Sequence, residues 1–258
     1  MTTLAYTDSV TMLRRNLRHV TRYPIMMISS LGMPIIMLLM FVGVFGKTLR
    51  AGIGDTGDYV NYVAPAIIMM TVGFGSAQTA VDVNTDMTEG IIGRFRTMAI
   101  WRMSVLSGHA LGSIVRTLIS VALVLGVAVL IGFRPSANVG EWLAAAGVIL
   151  LLTIALTWIA VGLGLTAKSP AGASSSTLLI QFLPFVSGAF VPPESMLAGV
   201  RWFGEYQPFT PIVRTIRGLL VGTPIGNNGI IAIGWCVGLA LVGYIWARMR
   251  FNRDPEKG

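Results

Sequence analysis

Residues 142–167 read WLAAAGVILLLTIALTWIAVGLGLTA, a run of 26 residues without a charged side chain. About 20 apolar residues in a helix cross the hydrocarbon core of a bilayer. The run is therefore long enough to span a membrane. It predicts an integral membrane protein.

Five more apolar runs share the 258 residues with this one. The predicted spans are 24–45, 59–81, 110–133, 142–167, 177–191 and 229–247, of which the fifth is short for a full crossing. The composition is 54% hydrophobic and 12% charged, whereas soluble domains carry roughly a quarter charged residues. We therefore predict a single all-α membrane domain over residues 1–258, without length for a separate soluble domain.

The basic residues predict the orientation of these spans. An even number of spans places both termini on one side. Of the 19 Lys and Arg, twelve fall on that side, six on the other and Arg116 within the third run. An excess of Lys and Arg marks the cytoplasmic side, so both termini are expected in the cytoplasm. The net charge is +8, but the basic residues form no continuous face once the spans are placed. This distribution argues against a nucleic-acid partner.

The chain before the first span has the pattern of a helix that lies on the membrane surface. Val10, Leu13, Leu17 and Val20 recur at helical spacing, and four arginines between residues 14 and 22 occupy the other faces. Arginines so placed reach anionic lipid headgroups. We predict an N-terminal amphipathic interfacial helix.

Motifs for catalysis are missing from the sequence. There is no G-x-x-x-x-G-K-[ST] phosphate-binding loop, and the G-x-G-x-x-G at 52–57 lies in a short loop without a preceding strand. Neither histidine has cysteines or carboxylates at metal-ligand spacing, so no metal site is expected. We predict that the chain is not an enzyme.

A few polar residues interrupt the apolar runs. Such residues tend to face a bundle interior or a cavity. Arg116 is expected to reach the inner interface with its long side chain. Because no acidic residue lies in mid-membrane, ion-coupled transport is disfavoured. Methionines of the first span suit varied apolar ligands because their side chains are flexible and polarizable. We therefore predict that the cavity is lined by these methionines and by polar residues of the spans: Met33, Met37, Asn61, Gln78 and Gln181.

Two segments between spans carry further patterns. Residues 82–108 contain three acids followed by three arginines, with apolar residues near helical spacing. They predict either a helix that docks a cytoplasmic partner or an ordinary interfacial loop helix. In residues 192–222, prolines break an apolar sequence into two short helices. We predict that these re-enter the outer leaflet without crossing it.

Three stretches carry a family resemblance. Residues 183–196 read LPFVSGAFVPPESM, residues 207–213 read QPFTPIV and residues 216–222 read IRGLLVG. They resemble the permease subunit of type-2 ABC exporters, in the daunorubicin/doxorubicin-resistance-like branch, whose pattern is SGAF-x-P-x-x-x-MP, then P-x-T-P, then R-x-L-x-x-G. Leu197 stands where a proline often follows the methionine. Residues 91–93 read IIG, where the coupling helix of the family usually has the motif G-T-x-E-R.

The resemblance implies an assembly in the bacterial cytoplasmic membrane. Two permease chains, identical or paralogous, would meet around a lateral cavity. Each would dock on one of two separate ATPase subunits, which hold ATP and Mg while this chain binds no cofactor. Substrates would be amphipathic drugs, antibiotics or lipids. The residues implied in coupling are Glu89, Gly90, Arg94, Phe95 and Arg96; those implied in the outer gate are Ser187, Gly188, Phe190, Pro192, Pro193, Glu194, Pro208 and Pro211.

Three other functions remain open from the sequence. A polysaccharide or lipid-linked glycan exporter of the same superfamily would share the fold. An accessory membrane subunit without its own pathway would tolerate replacement of the gate prolines. A membrane-embedded transferase would need clustered acids, but Asp82, Asp86 and Glu89 do not form its repeated D-x-x-x-D pattern.

Overall fold

The computed structural model describes residues 24–44, 46, 59–89, 102–191 and 196–252. Across these ranges the regular elements are helices, and no strand occurs among them. They are α1 (Pro24–Leu39, continued by a π-helix at Met40–Val44), α2 (Tyr59–Thr88), α3 (Arg102–Ile131), α4 (Val139–Thr166), α5 (Pro170–Phe182, followed by a 3₁₀ turn at Leu183–Val186), α6 (Ala198–Tyr206), α7 (Phe209–Val221) and α8 (Asn228–Asn252).

Within the residues that the structure describes, four helices are long and apolar enough to cross a membrane: α2, α3 from Leu106, α4 and α8. At 1.5 Å per residue, the 30 residues of α2 extend about 45 Å, more than the ~30 Å hydrocarbon core. The apolar stretch Leu31–Val44 is shorter, and α5 has 13 residues. Four of the six predicted spans thus have the required length, and the count of six stays a prediction.

The fifth predicted span, 177–191, differs from the helix in this region. Helix α5 begins at Pro170 because the Ser169 hydroxyl accepts a hydrogen bond from the Gly172 N–H, at 3.1 Å, and proline suits a first helical turn. The α-helix ends at Phe182, before Pro184, which cannot continue the helical hydrogen bonds. The helix therefore begins seven residues before the apolar run begins and ends nine residues before the run ends.

Helices α2 and α3 extend beyond their apolar runs. The predicted limits were Val81 and Ala110, whereas α2 continues to Thr88 and α3 begins at Arg102. Both ends of the predicted coupling segment 82–108 are therefore helical. The N-terminal amphipathic helix and residues 90–101 of the coupling segment lie outside the described residues, so those predictions stay untested.

Helix α2 is the centre of the bundle. It packs against α1, α3, α4, α5 and α7, and its Val63–Val72 stretch is buried throughout. Helix α8 instead packs mainly along α4. We name the two ends of the bundle after α2: the Tyr59 end and the Thr88 end. The prediction of cytoplasmic termini corresponds to a Thr88 end that faces the cytoplasm.

The two short helices predicted in residues 192–222 correspond to α6 and α7. They contain 9 and 13 residues, or about 14 and 20 Å, and are shorter than a bilayer core. Helix α7 packs against α2, α4 and α8 and ends at Gly222, whose positive φ of 80° closes the helix. Burial of α7 among longer helices satisfies the condition under which broken helices are tolerated at membrane depth.

Candidate functional site

A cavity of about 210 Å³ lies between α1, α2 and α5. It is lined by Met33, Phe74, Ala77, Gln78, Val81, Ser174, Thr177 and Gln181. Three of the five residues assigned to a cavity from the sequence, Met33, Gln78 and Gln181, thus surround the same space. The other two lie elsewhere. Met37 packs against the hydrophobic core, and the Asn61 Oδ1 accepts a hydrogen bond from the Arg134 N–H at the Tyr59 end, at 3.0 Å.

The cavity has one apolar side and one polar side. Its apolar side comes from α1 and α2, and most of its polar groups come from α5. The Gln181 Nε2 donates to the Thr177 Oγ1 at 3.2 Å, and the Gln78 Nε2 donates to the Asp82 Oδ1 at 2.9 Å. Four of the eight lining residues are polar, so the lining is mixed rather than mainly apolar as in typical small-molecule sites. This arrangement suits an amphipathic molecule.

Three of the predicted gate residues, Ser187, Gly188 and Phe190, lie in residues 183–190, which we call the gate segment. Its 3₁₀ turn at Leu183–Val186 ends at Ser187, a fully buried residue. The Ser187 hydroxyl donates to the Pro184 carbonyl at 2.5 Å and accepts from the Ala189 N–H at 3.1 Å. The serine of the SGAF motif therefore fixes a buried turn, in which both of its hydrogen bonds are local.

Thr210 connects the gate segment to α6 and α7. Its hydroxyl accepts a hydrogen bond from the Gly188 N–H at 3.1 Å and donates to the Gly204 carbonyl. Pro208 caps α7, and Pro211 lies in its first turn, where proline costs no helical hydrogen bond. The P-x-T-P motif thus starts a buried helix and places a hydroxyl between three segments.

Arg217 fastens the gate segment to α2. It is 8% exposed, and its guanidinium lies 3.7 Å from the centre of the Tyr62 ring. Its Nη2 donates to the carbonyls of Tyr62 and Ala189 at 3.0 and 2.9 Å. Its Nε donates to the Tyr62 carbonyl at 3.2 Å, and the Tyr62 hydroxyl donates to the Gly188 carbonyl at 3.1 Å. A buried guanidinium needs such partners.

Phe190 joins the gate segment to the end of α1. Its ring stacks on Phe41, with centres 4.7 Å apart, and on Phe185, at 5.1 Å. The side chain is 3% exposed. The gate residues Pro192, Pro193 and Glu194 lie outside the described residues.

One of the five predicted coupling residues can be placed. Glu89 is exposed at the Thr88 end and extends the hydrogen bonding of α2 by one residue, with its N–H donating to the Thr85 carbonyl at 2.9 Å. Gly90, Arg94, Phe95 and Arg96 lie outside the described residues. The assignment of coupling to this segment stays a prediction.

The sequence analysis missed two side-chain contacts between α2 and α3, each joining an acidic to a basic residue. The Arg116 Nη1 lies 3.0 Å from the Asp82 Oδ2, and the His109 Nε2 lies 2.9 Å from the Asp86 Oδ2. Two acids four residues apart and two basic residues seven apart each occupy one face of a helix. That periodicity was the available signal. In the described part of the chain, no three His, Cys, Asp or Glu side chains form a group able to hold a metal ion.

Comparison with known proteins gives consistent similarities. The family model described as ABC-2 type transporter matches residues 7–221. The daunorubicin resistance ABC transporter permease protein DrrB1 of Streptomyces coeruleorubidus is 30% identical over 241 residues, which cover 92% of this chain and 80% of the relative. The probable doxorubicin resistance ABC transporter permease protein DrrC of Mycobacterium tuberculosis (strain CDC 1551 / Oshkosh) is 25% identical over 235 residues, 90% of this chain and 84% of the relative.

Proposed function

Because this chain belongs to the ABC-2 type transporter family, we propose that it forms the transmembrane pathway of an exporter. A permease of this kind implies a separate ATPase subunit. The exporter would move amphipathic drugs, antibiotics or lipids out across the cytoplasmic membrane by alternating access. Both termini would lie in the cytoplasm.

We infer the substrate class from the cavity between α1, α2 and α5. It pairs apolar side chains such as Phe74 with the amides of Gln78 and Gln181. Its volume of about 210 Å³ is below the ~300–1,000 Å³ of typical ligand pockets, so one chain would enclose part of a drug-sized molecule. A second permease chain would complete the site. Two relatives are named for resistance to daunorubicin or doxorubicin, which makes an anthracycline a suitable first probe.

The gate segment would close the pathway at the outer side. Its Ser187, Gly188 and Phe190 are buried beneath α7, and Pro208 and Pro211 shape the helix that covers them. Outward opening would then require α7 and the gate segment to separate from α2. The contacts of Arg217 with Tyr62 and Ala189 oppose that separation.

The ATPase subunit would drive the permease through the segment that follows α2. Glu89, Gly90, Arg94, Phe95 and Arg96 would contact one ATPase subunit for each permease chain, giving two of each in the complex. The ATPase would hold ATP and Mg. Arg94, Phe95 and Arg96 are consecutive in the sequence. Arginine and aromatic residues are enriched in protein interfaces, so this composition suits a docking segment.

The stoichiometry of the purified complex tests this proposal. The chain is extracted from its native membrane in mild detergent, and the intact assembly is weighed by mass spectrometry beside a variant with Glu89, Arg94 and Arg96 changed to Ala. Two ATPase subunits for each two permease chains, lost in the variant, would support the proposal. An Arg250→Gln variant, which removes an exposed charge on α8 at the same end, controls for charge alone. A chain that purifies without an ATPase would refute the powered exporter and favour an accessory subunit.

A further inference from the structure

One carboxylate joins the cavity wall to α3. The Asp82 Oδ1 accepts a hydrogen bond from the cavity amide Gln78 at 2.9 Å, and its Oδ2 contacts the Arg116 guanidinium at 3.0 Å. The Asp82 and Arg116 side chains are 35% and 23% exposed. The two oxygens of this carboxylate therefore have partners on two helices, Gln78 on α2 itself and Arg116 on α3.

The α2–α3 interface combines one close glycine contact with three polar contacts. Counted toward the Thr88 end, Gly75 lies against Thr117, and the Thr79 and Ser113 hydroxyls are hydrogen-bonded. Asp82 then meets Arg116, and Asp86 meets His109 at 2.9 Å. Residues three or four apart lie on the same helix face, so the α2 residues share one face and the α3 residues share another. Arg116 is next to Thr117 in sequence and reaches Asp82 because its long side chain extends toward the Thr88 end. Together these residues form one set of contacts. We call it the α2–α3 series.

This series has a defined position with respect to the two ends of the proposed pathway. It begins beside the cavity residues Ala77 and Gln78. It ends at the Thr88 end of α2 and the start of α3, the two helices that residues 90–101 connect. Ionisable side chains near hydrocarbon are costly without partners. The two pairs therefore add side-chain contacts that hold α2 to α3 near the Thr88 end.

We propose that Asp82 is a positioning residue for transport, which holds Gln78 and Arg116 together so that α2, α3 and the cavity wall move as one unit. The proposal rests on the function proposed above, because only a driven transporter needs this transmission. Displacement of the α2 and α3 ends then changes the position of Gln78 in the cavity. A ligand bound to the Gln78 amide, in turn, biases the α2–α3 unit.

The test measures the distance between the two helices and the yield of transport in the full complex with its ATPase. Spin labels are placed at Met87→Cys on α2 and Leu111→Cys on α3, which are 36% and 41% exposed, in a Cys236→Ser background. Distance distributions are recorded without nucleotide and after trapping with ATP and vanadate. Transport of an anthracycline probe per ATP hydrolysed is measured in proteoliposomes.

Four versions of the chain are compared. They are the unmodified chain, Asp82→Asn, the reversed pair Asp82→Arg with Arg116→Asp, and Arg250→Gln as the matched charge control. In the unmodified chain the label distance stays the same in both states. Asp82→Asn broadens the distribution and lowers transport per ATP about fivefold, as expected for losing one link of a polar network. The reversed pair restores both quantities at least in part, and Arg250→Gln changes neither.

Three results would overturn the proposal. One is a label distance in the unmodified chain that shifts by several ångströms on trapping. Another is an Asp82→Asn variant with the unmodified distribution and yield. The third is a reversed pair that restores neither quantity, since pairing would then not be the cause. Failure of the exporter proposal is separate: the unmodified complex would show no ATP-dependent transport, while the nucleotide-free distributions would still test the α2–α3 series.

Discussion

The guanidinium of Arg217 lies over the ring of Tyr62, 3.7 Å from its centre, and one of its nitrogens bonds the carbonyl of the same residue at 3.0 Å. These two residues are 155 positions apart in sequence. Tyr62 belongs to the central helix, and Arg217 belongs to a helix too short to cross a membrane. Their contact, with the Arg217 bond to Ala189, explains how α7 and the gate segment are held against the bundle.

Arg217→Met should destabilise the protein. Methionine has a similar length but donates no hydrogen bond, so the Ala189 carbonyl loses its guanidinium donor in a buried position. Loss of one buried hydrogen-bond partner costs about 1–3 kcal/mol. The thermal unfolding midpoint in detergent should fall. Arg214→Met is the matched control, since Arg214 is half-buried one turn earlier on the same helix. An equal fall in both variants would contradict the role given to Arg217.

Thr210→Val should loosen the gate segment. Valine keeps the shape of threonine but removes the hydroxyl that bonds the Gly188 N–H and the Gly204 carbonyl. The expected loss is about 1–3 kcal/mol in the free energy of unfolding. Faster hydrogen exchange at Gly188 and Ala189 should accompany it.

Thr215→Val provides the comparison on the same helix. The Thr215 hydroxyl donates to the Pro211 carbonyl of its own helix, at 2.7 Å, so its loss breaks no link between segments. Exchange in the gate segment should stay at the level of the unmodified chain. Protection that is unaffected by Thr210→Val would show that the hydroxyl does not join these segments.

Gly164→Val should separate α2 from α4. A Cβ at Gly164 would lie 2.5 Å from the Ala80 carbonyl oxygen and 3.1 Å from Val83, so the backbone itself would have to move. Overpacking of this kind costs about 1–3 kcal/mol, sometimes more. The shift would also disturb the Asn84 side chain, which donates to the Gly164 carbonyl at 3.0 Å.

Gly147→Val is the control for this change. It lies on the same helix, where an added Cβ meets no atom within 4 Å. The unfolding midpoint should change little in Gly147→Val and fall clearly in Gly164→Val. The reverse order would mean that α2 and α4 do not approach as closely at Gly164 as described.

The long helices were predictable because length and hydropathy decide them locally. The run 142–167 became Val139–Thr166, whose start is fixed by a capping box between Asn138 and Glu141. The run 229–247 became Asn228–Asn252. Helix ends beyond the apolar runs were harder to predict, since polar residues such as Asp82 and Asp86 continue the helix past the apolar run.

Long-range partners were not predictable in the same way. Arg116 was expected to reach the inner interface, but its contact with Asp82, 34 residues away, was not predicted. Arg217 was counted among the charges that set orientation, yet it is buried against main-chain carbonyls. Periodicity places a side chain on a face but does not identify the backbone that faces it. The convergence of Met33, Gln78 and Gln181 on one cavity likewise depends on how three helices pack.

In the proposed function, this chain carries amphipathic molecules through the cavity, driven by ATP hydrolysis in the partner subunit. The direct measurement is ATP-dependent uptake into inside-out vesicles that contain the complex, using an anthracycline, a cationic dye and a fluorescent phospholipid as probes. Two variants of neighbouring residues on α5 are compared: Ser174→Phe, which fills the cavity, and Ser175→Phe, which is exposed outside its lining.

We predict uptake of at least one probe by the unmodified complex, most of it lost in Ser174→Phe and most retained in Ser175→Phe, with the ATPase still bound in both. Equal uptake in Ser174→Phe and the unmodified complex would contradict the pathway through this cavity. No ATP-dependent uptake of any probe would contradict the proposed function itself.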